Sequence, residues 1–318
     1  MKISLIPLVL AGSLAACAEV QPEPLPDIRI MDTQVFPESI TSTRDGRVYI
    51  GSVKGNVYLA EPGAAEAHPW IRHSPENGIL TILGVLADEN SNTLWLCSAP
   101  NLFGPERSEG VTAVMGFDLD TGAQKGQWPF PDGGTCNDLT VAEDGTVLAT
   151  DTPGGRILAL DPGADELRLW GESELLRGID GVAFSADWTL YVNNVQTQKL
   201  YRVDREGDGM GALTELQVSH ELGGPDGMRL IDGTRFIQAE GTVGRLSVVD
   251  IQGDTASMTI IDDELESTPG ATVVGNTAYV LESNIQYLFN PQLRGQEQRL
   301  SSSTPAPCLE GSVRLIAL

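Results

Sequence analysis

The feature that most constrains this chain is a repeat. Six segments share one order: an opening residue, an apolar strand, a tight Asp, Gly or Asn turn, a second strand, a short break and a third strand. They begin at Glu38, Leu83, Asn137, Asp180, Asp226 and Pro269, so the spacings are 45, 54, 43, 46 and 43 residues. A period of roughly 40 to 50 residues with several strands per unit is the signature of a β-propeller. One such unit cannot bury both faces of its sheet, so successive units must stack face to face in a ring. The chain is therefore expected to be all-β, a single domain forming a six-bladed β-propeller over residues 28–318. The runs "DIRIMDTQVF" and "GSVRLIAL" near the two ends are expected to pair in a terminal blade and close the ring. Two sandwich domains would interrupt the period, and nothing does. Trp95, Tyr49, Tyr191 and Tyr279 fall in second strands and are expected to pack blade against blade.

Residues 1–16 read as an export signal, because Met1-Lys2 precedes an apolar run from Ile3 to Leu14 that is too short to span a bilayer stably. Ala15-Ala16-Cys17 resembles the lipobox of bacterial lipoproteins. That resemblance implies cleavage before Cys17, a lipid on its sulfur and a place on the periplasmic face of a membrane. Ala18, rather than Asp, suits the outer membrane. The acidic, Pro-rich stretch 17–27 then serves as a tether. Lys and Arg total 20 against 44 for Asp and Glu, a net charge of −24, which repels phosphate backbones and excludes nucleic acid as a partner. The three histidines, His68, His73 and His220, lie at no metal-ligand spacing from one another or from a Cys, which argues against a zinc site. There is no G-x-S-x-G elbow for a serine nucleophile. Besides Cys17 there are Cys97, Cys136 and Cys308. Adjacent blades would bring Cys97 and Cys136 within reach of a bridge, leaving Cys308 free; other pairings stay open.

In a propeller the innermost strand of every blade begins at one mouth of the central channel. Opening residues therefore converge on the axis although they are distant in sequence. Glu38, Asn137, Asp180 and Asp226 carry carboxylate or amide oxygens there, while Leu83 and Pro269 are apolar. Three acids gathered without a base repel one another strongly. A hard divalent cation, Ca²⁺ first or another of its kind, removes that conflict and accepts such oxygens. Pro225-Asp226-Gly227 alone would read as a turn; its registered counterparts make Asp226 a candidate ligand.

"PES" around Glu38, "CNDLTVAEDGTVLATDT" from Cys136, "IDGVAFSADWTLYV" from Ile179 and "GGPDGMRL" from Gly223 resemble the gluconolactonase, senescence marker protein (regucalcin) and luciferin-regenerating enzyme family. The resemblance implies that a Glu, two Asn and an Asp hold a catalytic divalent metal, which by position become Glu38, Asn137, Asp180 and Asp226. Asp180 stands where the family usually has Asn; the added charge should tighten Ca²⁺ and blunt its Lewis acidity. Thr135 stands where the family's sugar-lactone hydrolases tend to carry Arg, which argues against a gluconate-like substrate. The expected activity is metal-dependent hydrolysis of a lactone or related ester, with Asp226 as general base and Asp180 as second candidate. Asn137 should only ligate and Glu38 should anchor the ion. His220 is a weaker candidate for proton transfer. The competing expectation is a non-catalytic, lipid-tethered propeller that binds a ligand or protein partner and keeps a structural Ca²⁺.

Overall fold

The computed structural model of the 318-residue chain describes residues 26–100, 109–285, 288 and 311–318. The signal segment, most of the tether, Cys17 and Cys308 lie outside the described residues. Strands Pro37–Ser42, Val48–Ser52, Val57–Ala60 and Glu66–Ile71 pair in that order, each antiparallel to the next. The same meander recurs from Thr81–Asp88, Cys136–Val141, Ile179–Phe184 and Pro225–Asp232. A last group runs from Ala271–Val274 through Thr277–Glu282 and Ser312–Ala317 to Ile28–Ile30, so its outermost strand comes from the start of the chain.

That N-terminal strand is stitched on both sides. Ile28 pairs antiparallel with Val313, while Arg29 and Ile30 pair in parallel with Glu66 and Ala67 of the first group. Hydrogen bonding thereby joins the first and last groups into one eight-stranded sheet. The expected pairing of the two ends is present. The sequence pattern shows only three strands per unit, whereas the structure has four. The outermost strand Gln124–Pro129 holds only exposed and half-buried residues and carries no apolar stripe to reveal it.

The innermost strands adjoin in sequence order round a ring: Pro37–Ser42, Thr81–Asp88, Cys136–Val141, Ile179–Phe184, Pro225–Asp232 and Ala271–Val274, which returns to the first. The fold is an all-β propeller. Its core is a set of apolar layers lying between neighbouring sheets. One layer packs Tyr49 and Ile82 with Leu94 and Met115, and another packs Leu148 and Ile157 with Val182 and Tyr201. Burial on both faces explains why second strands read as unbroken runs; Val48–Ser52 and Leu190–Asn194 are buried throughout. Tyr49 and Tyr191 are in these layers, with Trp95 and Tyr279 half-buried against them. A disulfide joins Cys97 to Cys136, Cα atoms 5.0 Å apart, and so ties two adjacent sheets beside Asn137.

Candidate functional site

Five of the inner strands open on a β-bulge. The ladder register slips between Pro37 and Ser39, Ile82 and Gly84, Cys136 and Leu139, Ile179 and Val182, and Pro225 and Met228. Within those slips sit Glu38, Leu83, Asn137, Asp180 and Asp226. A bulge takes a residue out of the ladder, bends the strand and re-aims the side chain. All six opening residues, Pro269 included, line one cavity of about 710 Å³. The sequence repeat thus becomes a place.

The ring holds these backbones tightly. A Cβ on Gly84 would strike the Asn137 carbonyl oxygen, and one on Gly181 the Asp226 carbonyl oxygen, so both positions need glycine for close approach. Where the corresponding residue has a side chain, it bonds to the next strand instead. Ser39 Oγ accepts from the Val85 N–H at 3.0 Å, and Asp138 Oδ2 from the Val182 N–H at 3.1 Å. The Asp226 carbonyl also accepts from Asn193 Nδ2 at 2.6 Å. Ahead of Glu38, Phe36 holds a φ of 47° just before Pro37 and is buried against Val53 and Ile285. Such a backbone persists only where its surroundings enforce it.

The acids conflict, as their convergence requires. Asn137 Nδ2 donates to Thr152 Oγ1 at 2.9 Å and to Asp180 Oδ2 at 3.0 Å. The charge of Asp180 also opposes ionisation of Asp226, so the two buried carboxylates conflict directly. Burial, and then the charge of Asp138, pushes Asp180 up to about 7. Glu38 is raised well above the usual carboxylate range by burial and then by the charges of Asp226 and Asp180. Asp226 is raised likewise by burial and then by Asp180.

The cation nearest to these acids is committed elsewhere. Arg229 donates to both oxygens of Asp138 at 2.8 Å, to the Val85 carbonyl at 3.1 Å and to the Met228 carbonyl at 2.9 Å. The pair's side chains are 11% and 5% exposed. It spans the second, third and fifth inner strands and offsets only part of the repulsion, lowering Glu38 and Asp180 less than burial raises them. Neither residue follows from the repeat. The visible signals are an Arg inside the otherwise apolar "GMRLI" and an Asp directly after Asn137.

The remaining walls are largely apolar: Leu83, Pro100, Pro153, Val195 and Ile285, with Thr135, Thr152 and Gln196 among the polar groups. Among the described residues the lining holds no Lys, Arg or His. His220 is not among them; its Nδ1 lies 3.3 Å from Ser219 Oγ. Among the described residues no three His, Cys, Asp or Glu side chains stand close enough together to hold a metal. The donor types are nevertheless those a hard cation takes, although the carboxylates must draw closer together to share one. Three buried carboxylates carry an unrelieved charge conflict, and the Asn137 amide oxygen accepts from no described group.

The architecture and the acid-lined axial cavity define the chain as a β-propeller with a ligand-sized central site. No family model matches the chain, and no curated protein matches it either. Solved structures do. A protein assigned as a gluconolactonase superposes with a TM-score of 0.64 at 15% identity, covering 91% of this chain and 92% of its own. A luciferin-regenerating enzyme gives 0.62 at 12% identity, covering 91% and 93%. A catalytically inactive virginiamycin B lyase from Staphylococcus aureus gives 0.58 at 12%, covering 92% and 98%. The structural neighbours thus include the gluconolactonase and luciferin-regenerating types that the sequence motifs resemble. At such identities the likeness is one of fold, and a lyase shares it.

Proposed function

We propose that this protein hydrolyses a lactone or related ester with a divalent cation, Ca²⁺ by the all-oxygen donor set, held by Glu38, Asn137, Asp180 and Asp226. One observation carries the reading: the opening residues of all six inner strands line one cavity, and its three carboxylates are held there in mutual repulsion. When bound, such an ion polarises a carbonyl and stabilises charge developing on its oxygen. The likeness to a gluconolactonase-type propeller supports the reaction class.

The protein's own groups then have distinct tasks. Asp226, with its backbone fixed between Pro225 and Gly227, takes the proton of the attacking water as general base. Asp180 is its partner and the second candidate for that role. Asn137, held by Thr152, only ligates, and Glu38 anchors. The apolar walls exclude water and suit an uncharged acyl or aryl body. Thr135 in the lining supports a substrate other than a gluconate-like lactone. We also infer export, which the Cys97–Cys136 disulfide supports, since such bonds persist in oxidising compartments, and, from the lipobox-like Ala15-Ala16-Cys17 alone, a lipid anchor on Cys17.

The test is hydrolysis of aryl esters and lactones by the purified protein, with chelator and with added Ca²⁺, for the parent and Asp226→Asn. Chelation should abolish turnover and Ca²⁺ restore it. Asp226→Asn should retain Ca²⁺ binding and lose about 10²-fold or more in kcat. Tight Ca²⁺ binding with no turnover on any ester would replace the hydrolase by a binding platform.

A further inference from the structure

The far ends of the inner strands carry a second feature. The turns Thr43 to Arg47, Ala142 to Thr146 and Ser185 to Thr189 are closed alike. Gly46 N–H donates to the Thr43 carbonyl at 3.0 Å, Gly145 N–H to Ala142 at 2.9 Å and Trp188 N–H to Ser185 at 3.0 Å. The three donors share a left-handed backbone, with φ of 94°, 87° and 64°. Glycine fills that position twice, and the third time it is tryptophan. A bulky residue is strained there. Burial does not compensate, because Trp188 is 45% exposed.

The strained placement makes a wall. The Trp188 indole meets Phe184 edge to face, centroids 5.9 Å apart. With Trp170, and with Leu148 and Leu190 beneath, these rings line a cavity of about 380 Å³ between the sheets that open at Asn137 and Asp180. Glu143 stands at its edge, exposed, with no hydrogen bond or ion pair among the described residues. The other charged lining groups are engaged: Asp204 with Arg202 at 3.2 Å and Arg205 with Asp144 at 3.4 Å.

We propose that this cavity binds a small organic cation with an apolar body, such as an alkylated ammonium. The faces of Trp and Phe attract a cation through the ring quadrupole, and the attraction grows as the site excludes water. Glu143 supplies an unspent counter-charge. The apolar floor takes the ligand's body. A net charge of −24 raises the local concentration of cations and lowers that of anions. The site is separate from the axial cavity and does not rest on the hydrolase reading.

Calorimetric titration of the full chain with benzyltrimethylammonium, against its uncharged isostere neopentylbenzene, tests this. The cation should saturate and bind roughly tenfold more tightly than the isostere. Trp188→Gly, which restores the residue the other turns use, should keep or raise Tm and weaken the cation roughly tenfold. The exposed Glu143→Gln provides a second variant that leaves the core untouched, and should weaken it several-fold. Absence of saturable binding, equal affinity for cation and isostere, or binding unchanged in both variants would overturn the proposal.

Discussion

Replacing Arg229 by Met should destabilise the protein far more than the loss of one ion pair on the surface. The substitution keeps an unbranched apolar stem and deletes the guanidinium that makes two 2.8 Å bonds to Asp138. Asp138 is 5% exposed at its side chain and sits directly after Asn137, so its charge would stay buried without a partner. Breaking a buried pair from one side costs about 3 to 5 kcal/mol. At about 2 °C per kcal/mol for a domain of this size, Tm should fall by roughly 6 to 10 °C. The acids would also feel it, since the charge of Arg229 contributes to lowering both Glu38 and Asp180. Adding Asp138→Asn removes the stranded charge yet leaves an oxygen to accept from the Val182 N–H, and should recover most of the loss. Differential scanning calorimetry of the parent, both single variants and the double variant measures all four corners. A loss below about 1 kcal/mol in Arg229→Met, or a double variant no more stable than the sum of the singles, would refute the argument.

Three further outcomes are expected. Asp180 titrates near 7 when folded against 3.8 for an ordinary aspartate, so between those values the folded chain keeps a proton that the unfolded chain releases. Stability of metal-free protein is then fully present below about pH 4 and lost as pH rises through about 7, with Glu38 and Asp226 extending the loss upward. Melts in chelator should show Tm falling between pH 5 and 7.5 and Ca²⁺ restoring it; a flat profile refutes the charge conflict. Gly181→Ala forces a Cβ into the Asp226 carbonyl and within 2.9 Å of Asn193 Nδ2, so it should cost about 1 to 3 kcal/mol and weaken Ca²⁺ binding together with Tm. Parent-like melts and affinity would show that the strands give way there. Cys97 and Cys136 are 39 residues apart in sequence, so replacing both by Ala should cost roughly 4 kcal/mol by loop-closure entropy, read as a lower denaturant midpoint; an unchanged midpoint contradicts it.

What was legible in the sequence was the period and, through it, the residues at each strand start. Glu38, Asn137, Asp180 and Asp226 could be brought together on paper because the repeat registers them, and the cavity collects all four. The turn signal of Pro225-Asp226-Gly227 misleads only locally. Pro225 begins a strand, and Gly227 inside the bulge serves the close approach of Pro269, whose carbonyl oxygen a Cβ there would meet at 2.9 Å. Asp138 and Arg229 were not legible, because 91 residues separate them and neither occupies an opening position. Only the closed ring turns that pair into a contact. Trp188 lies in a turn visible from its Asp, yet its meaning needs the backbone angle, since sequence alone does not show which position must be left-handed.

The doubly stitched strand Ile28–Ile30 sets an order of events. Its partners Glu66 and Val313 belong to the first and last sheets of the chain, so this three-residue seam closes only once both flanking sheets exist. Contacts of such sequence range are slow to find, so the seam is expected to form late in assembly. With two paired positions on each side, it is also expected to part early under heat or denaturant, which hydrogen exchange at its amides would read.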